Sequence, residues 1–350
     1  MSLIRSVKKG TNRVLGLFGA QIISQFELES LRRVVGKYLP PQPLIPPSAV
    51  LPKGAEEYLR PDNPRLKELR FRYRETNGPA VNHLVWTDSH TSQIDLRYFR
   101  ADNPYVWQRQ DQNAEINYLL TASYVKTIDK LGLLGRLEED GLFGAHTFRS
   151  LENLVLSRDL LDSVNEINFL EEALQISKHH KLKVLDIGAG YGRFAHRLRA
   201  SLPDIEKVIC TDAVATSTFI SEYYLRFRGA SEKAMVVPLY ETEAALDRNQ
   251  VYLAVNIHSF SECSFASICW WLDILSARRI PYLFLVPNSQ NHGGTKLLTL
   301  EAGGANPHDF MPAVLSRGYR LVNKRPKYDA PSVQKYGVSP TYYYLFELRG

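Results

Sequence analysis

Cysteine is scarce: Cys210, Cys263 and Cys269 are the only 3 in 350 residues. They are too few and too scattered for a disulfide framework or a four-cysteine zinc site, so a disulfide-stapled secreted scaffold is excluded and a reducing, cytoplasmic setting is expected. No apolar run reaches the roughly 18–20 residues that cross a bilayer. Neither sign of charge dominates, because 43 basic residues against 37 acidic ones give a formal +6. Such a balance permits an anionic partner without calling for one. A dense basic stripe with interleaved aromatic platforms is missing, so no nucleic-acid partner is expected. With 44% hydrophobic and 23% charged residues, the chain is neither disordered nor fibrous, and its length suits two domains or one large one. Methionine and tryptophan are rare, at 3 and 4, whereas tyrosine reaches 19.

Arg5, Lys8, Lys9 and Arg13 precede a short apolar stretch from Val14 to Ile23. Gln21 interrupts it and no small-residue cleavage pattern follows, so it reads as an amphipathic helix rather than a signal peptide. Its expected partner is another subunit, the body of the protein or a membrane surface. Pro40, Pro41, Pro43, Pro46, Pro47 and Pro52 then define an extended strap. From Pro64 to about Leu156 the pattern is mostly helical, with a turn at Glu139-Asp140-Gly141. A helical N-terminal domain over 1–155, serving as a substrate lid or a homo-oligomer contact, is expected ahead of a second domain over 156–350.

The texture changes at Ser157, a candidate helix cap followed by Leu160, Leu161, Val164, Ile167 and Leu170 at helical spacing. Strands then alternate with helices: 182–187, 208–211, 235–237, 252–257 and 281–286, with 319–323 and 342–348 at the end. Strict alternation predicts an α/β fold with a parallel sheet covered on both faces. The two last strands, with no helix foreseen between them, predict an antiparallel pair. The expectation is a seven-stranded Rossmann-like sheet with its last strand antiparallel.

The sharpest local signal is Val184-Leu185-Asp186-Ile187-Gly188-Ala189-Gly190-Tyr191-Gly192-Arg193. Three glycines after an apolar strand allow a tight turn and a close backbone approach to a ligand at a helix N-terminus. A dinucleotide fingerprint needs a small residue three positions after Gly190, and Arg193 is too large for that. A carboxylate at Asp186 would repel a pyrophosphate and favour an ammonium group. Asp212, at the end of the second strand, is placed to accept both hydroxyls of a ribose, although alone it reads more readily as a helix cap. Glycine loop, Asp186 and Asp212 together point to S-adenosylmethionine (SAM) rather than a nicotinamide cofactor.

At these residues the chain resembles the class I SAM-dependent methyltransferases, and more narrowly the sugar O-methyltransferase family of bacterial polysaccharide and natural-product gene sets. The narrower resemblance lies in Asp102-Asn103-Pro104-Tyr105-Val106-Trp107, in Glu139-Asp140-Gly141-Leu142-Phe143-Gly144, in the stretch from Ser157 to Ile167, and in Asn256-Ile257-His258-Ser259-Phe260-Ser261-Glu262. It covers roughly Ala101 to the C-terminus and implies a sugar hydroxyl as acceptor. Rivals are a methyltransferase of another natural product or RNA, and a non-catalytic SAM-binding scaffold.

The fourth strand ends at Asn256, beside the strand that carries the glycine loop. An alkyl hydroxyl must lose its proton as the methyl arrives, so a histidine near neutral pKa is the matched base. His258 is the expected base, with Glu262 orienting it or holding a sugar hydroxyl; a strand-end histidine and a helix-start acid are the plain alternatives. Arg158, Asp186, Gly188, Gly190, Tyr191, Asp212 and Asn256 are the expected cofactor residues. Asn288 and His292, in an amide-rich loop with Gln290 and Asn291, and the rings of Tyr105 and Trp107 are expected at the substrate. No compact metal-ligand set is visible, so a divalent metal is possible but not favoured. Residues before Ala101 lie outside every cofactor motif and are assigned to substrate enclosure or oligomerisation. Arg320, Lys324, Arg325 and Lys327 read as a solvated edge.

Overall fold

Seven short, apolar-rich runs form one sheet in the computed structural model, which describes residues 45–349 apart from 47, 83, 93, 104, 107, 109–113, 151, 290–291 and 300–306. The amphipathic start, the prolines up to Pro43, Trp107, Gln290 and Asn291 lie outside the described residues. The strands are β1 (Lys183–Ile187), β2 (Lys207–Thr211), β3 (Ala234–Val236), β4 (Leu253–Ile257), β5 (Tyr282–Val286), β6 (Tyr319–Pro326) and β7 (Tyr342–Leu348). Their order is β6-β7-β5-β4-β1-β2-β3. β1 pairs in parallel with β2 and β4, and the parallel run extends to β3 and β5. β7 is antiparallel to both of its neighbours. This is a Rossmann-like architecture, with the last strand reversed.

The inner strands are apolar because both faces are covered: Val184, Leu185, Val208, Ile209, Ala254, Val255 and Phe284 are fully buried. The layers are built from α1 (Pro64–Glu75), α2 (Ala114–Ile128), α3 (Arg158–Leu174), α4 (Arg193–Ser201), α5 (Ala215–Phe227), α6 (Thr242–Asp247), α7 (Phe265–Ala277), α8 (Met311–Ser316) and α9 (Pro331–Tyr336). α1 starts where Asn63 accepts the Arg65 N–H at 2.8 Å and Pro64 supplies a preset first turn. α3 starts at Ser157, whose Oγ accepts the Leu160 N–H at 3.1 Å. β6 is an edge strand bearing exposed Arg320, which discourages pairing with another chain.

Two elements differ from the sequence reading. α9 lies between β6 and β7, where only a loop was foreseen; six residues are too few to show a helical period, and Pro331 is its start signal. The region before Ser157 is less helical than its pattern suggested, holding short 3-10 turns and an antiparallel pairing of Thr147–Arg149 with Val155–Ser157. Residues 43–350 form one unit, in which α1 packs on α5 and the Pro79–Val81 turn packs on α7. Among the described residues no helix is long and apolar enough to cross a membrane.

The strand order reverses between β1 and β4. In open α/β sheets such a switch point opens a crevice beyond the carboxyl ends of the strands.

Candidate active site

A cavity of about 370 Å³ opens beyond β1, β2 and β4, and the glycine loop forms one wall. Gly188, Gly190 and Gly192 have φ of +70°, +57° and +87°, a region that side-chain-bearing residues avoid. Two of them serve packing: a Cβ on Gly188 would sit 2.1 Å from Ser259 Oγ, and one on Gly192 would sit 2.9 Å from Ser221 Oγ. At Gly190 the nearest atom to such a Cβ is Tyr105 Cδ1, at 3.9 Å. The N–H groups of Gly188 and Ala189 are spent on the Thr211 carbonyl, at 2.9 and 3.1 Å, which locks the loop to the end of β2.

Among the carboxylates that line this cavity are Asp186 and Asp212. Asp186 is buried, and its Oδ2 has no hydrogen-bond partner. Burial, with Glu166 and Asp212 adding repulsion against the pull of Arg193, pushes its carboxyl up to about 7. An unpartnered buried carboxylate oxygen is costly and calls for a donor or a cation. Asp212 accepts the Gly190 N–H at 2.9 Å on Oδ2 and the Val214 N–H at 2.8 Å on Oδ1. Its oxygens keep further acceptor capacity, and burial raises it to about 6. Asp212 therefore caps the chain entering α5 and borders the cavity as well.

Asp212 is itself held from the N-terminal region. The Tyr73 hydroxyl, on α1, donates to the Asp212 carbonyl at 2.9 Å, lies 2.7 Å from Thr218 Oγ1, and accepts the Leu239 N–H at 3.1 Å. Residues before Ala101 thus reach the backbone of Asp212, a contact of which the sequence carries no sign. No local motif marks Tyr73, because its partners lie more than a hundred residues away.

At the end of β4, Asn256 does not line the cavity. Its amide donates to the Ile187 carbonyl at 3.0 Å and accepts the Phe260 N–H at 2.9 Å, which ties β4 to β1. That corrects its assignment to the cofactor. His258 lines the cavity at φ +70° and turns the chain into the short helix Ser259–Glu262. Its basicity is not as expected: burial, then the charge of Arg158, pushes the imidazole down to about 3. It is neutral at physiological pH and poorly matched to take a proton. Glu262 accepts the indole N–H of Trp86 at 2.7 Å on Oε2 and the Asn288 amide at 2.9 Å on Oε1. Burial raises its carboxyl above the usual range, against these two bonds. Trp86, which the sequence reading left out, stacks on Tyr105 at 5.0 Å and 27°. The Tyr105 hydroxyl accepts from Ser217 at 3.2 Å, placing this ring beside the glycine loop and Asp212.

A third wall is α3, whose polar face is buried as deeply as its apolar one. Arg158 lines the cavity and its Nε donates to Asp162 at 3.2 Å. Asp162 also takes a bond from Lys327. Burial alone would raise Asp162, but Lys327, Arg158 and Arg193 outweigh it and hold it at about 2. Lys327 is 4% exposed, so it is no part of a solvated edge. Arg193 forms a two-pronged pair with Glu166 at 2.7 and 3.1 Å. The Tyr191 hydroxyl is committed to Asp159, which Arg100 also contacts at 3.3 Å, so within the cavity Tyr191 offers its ring. His292 does not line the cavity. Among the described residues no group of three or more His, Cys, Asp or Glu side chains is arranged to hold a metal ion.

No protein-family model matches the chain, and no curated protein matches it. Solved structures similar to it include a SAM-dependent methyltransferase from Leishmania major, at 15% identity and a TM-score of 0.41 over 65% of this chain and 83% of that one. One from Aquifex aeolicus gives 16% and 0.37 over 51% and 89%. One from Clostridium acetobutylicum gives 12% and 0.36 over 54% and 91%. At these identities and TM-scores the fold assignment rests on the chain's own strand order.

Proposed function

We propose that the chain binds SAM and transfers its methyl group to a hydroxyl of a carbohydrate. One observation carries the cofactor reading: the buried Asp186 Oδ2, unpartnered at the mouth of the glycine loop, suits an ammonium group and would repel a pyrophosphate. Asp212 would accept the ribose hydroxyls with its remaining lone pairs, and Arg158, steadied by Asp162, would meet the carboxylate. SAM supplies a methyl group on a sulfonium, already activated towards an oxygen nucleophile. What the protein adds is mostly positioning and a place for the proton.

For that proton Glu262 is better matched than His258. Its carboxyl is raised by burial, fixed by Trp86 and Asn288, and set at the end of β4 beside the glycine loop. His258, neutral, offers a hydrogen bond to the same hydroxyl. The surrounding mixture of Asn82, Asn288 and Ser267 with the rings of Trp86 and Trp271 suits a polyol whose hydroxyls need partners and whose C–H faces need aromatic cover. Incubation with methyl-labelled SAM and a panel of mono- and oligosaccharides tests this reading. Label on a sugar oxygen is expected. Label on RNA with none on any glycan would move the acceptor to nucleic acid, and no transfer together with no SAM binding would remove the activity.

A further inference from the structure

A second cavity, of about 410 Å³, borders the first along the Pro79–Val81 turn. Ala80, in the Pro79–Val81 turn, lines both. The consecutive indoles of α7 divide between them, Trp271 at the first cavity and Trp270 at the second, with ring centroids 4.8 Å apart. Ser267 ties the turn to α7 by donating to the Pro79 carbonyl at 2.6 Å. The two cavities therefore adjoin at Ala80, and the volume of the second is in the range of small-ligand sites.

Its lining has the chemistry of a sugar site. Tyr240 and Trp270 supply aromatic surface, and Arg72, Glu75, Asn77 and Glu243 supply donors and acceptors. Several of these groups are fixed in advance. The Arg72 guanidinium lies 4.5 Å over the Tyr240 ring, Tyr73 meets that ring edge-on at 5.7 Å, and Arg278 holds Glu243 at 3.2 Å. With Glu243 paired to Arg278 and Arg72 set against Glu75, the site has no cation in excess to hold a phosphate, whereas a neutral polyol needs none. We infer that this cavity is a distal subsite for a neutral sugar residue of the acceptor, so that the preferred substrate is an oligosaccharide or polymer rather than a free monosaccharide. The inference rests on the carbohydrate reading above.

The test is an acceptor-length series on the full chain with labelled SAM, comparing a neutral monosaccharide with its di- and trisaccharide. KM is expected to fall by about tenfold or more as the distal residue is added, the size of a good stacking contact. Tyr240→Ala should abolish that length advantage, and Glu243→Gln, a mild surface change that leaves the fold unstrained, should reduce it. A KM independent of length, or an advantage that both variants preserve, would overturn the subsite while the methyltransferase reading stands. Failure of every glycan to accept methyl while the chain still binds SAM would instead overturn the carbohydrate reading, and the subsite with it.

Discussion

Single residues carry the chemistry here through what burial does to them. Asp186 at about 7 lies far above the ordinary aspartate value of about 3.9, so below neutrality the ligand-free protein keeps it protonated. An ammonium group favours the carboxylate form. SAM binding should therefore release a proton, and affinity should rise between about pH 5 and 7 as that carboxyl ionises. Calorimetry in buffers of differing ionisation heat reads the proton count directly; an affinity flat across this window would detach Asp186 from the ligand. Asp212→Ala should cost roughly 1–3 kcal/mol of SAM binding through lost charge-assisted hydrogen bonds and a loosened Gly190 turn. An unchanged affinity would leave Asp212 as a helix cap alone. Glu262→Gln should lower turnover by about 10²–10⁴-fold, and the wild-type rate should fall as pH drops through the raised pKa of Glu262. His258→Ala should cost far less than Glu262→Gln. If instead His258→Ala were the more damaging, or chelation abolished activity, the proton would be leaving by another route.

At the scale of elements, the cofactor strands are held from outside their own half of the chain. α1 sends Tyr73 to the turn after β2 and to Leu239 beyond β3, and Arg65 pairs with Glu222 of α5 at 2.6 Å. Tyr73→Phe removes the hydroxyl without opening a cavity. It should weaken SAM binding and stability together by about 1–3 kcal/mol, read by calorimetry and thermal melting. Full retention of both would confine α1 to a bystander role. The strands, the capped helix at Ser157 and the glycine loop were legible in the sequence because their signals are local: apolar runs, helical spacing and a turn that tolerates only glycine. Trp86, Tyr73 and Arg100 carried no such signal, since each meets its partners across the fold. Lys327 and the polar face of α3 misled for a related reason. Periodicity reads charges as exposed, whereas Asp162 and Lys327 are buried as a pair with each other and Glu166 is buried against Arg193. α9 escaped because one and a half turns show no period.

For the whole molecule, the sheet order puts the glycine loop, Asp186, Asp212 and the β4 end around one cavity, and the Pro79–Val81 turn, Trp86 and Tyr105 close it from the N-terminal side. Every assignment at the acceptor end depends on which cofactor this enclosure selects. A single calorimetric titration of the full chain with SAM and, in parallel, with NAD tests that selection most directly. Saturable binding of SAM with no heat from NAD is the predicted result, and binding of NAD with none of SAM would contradict the account.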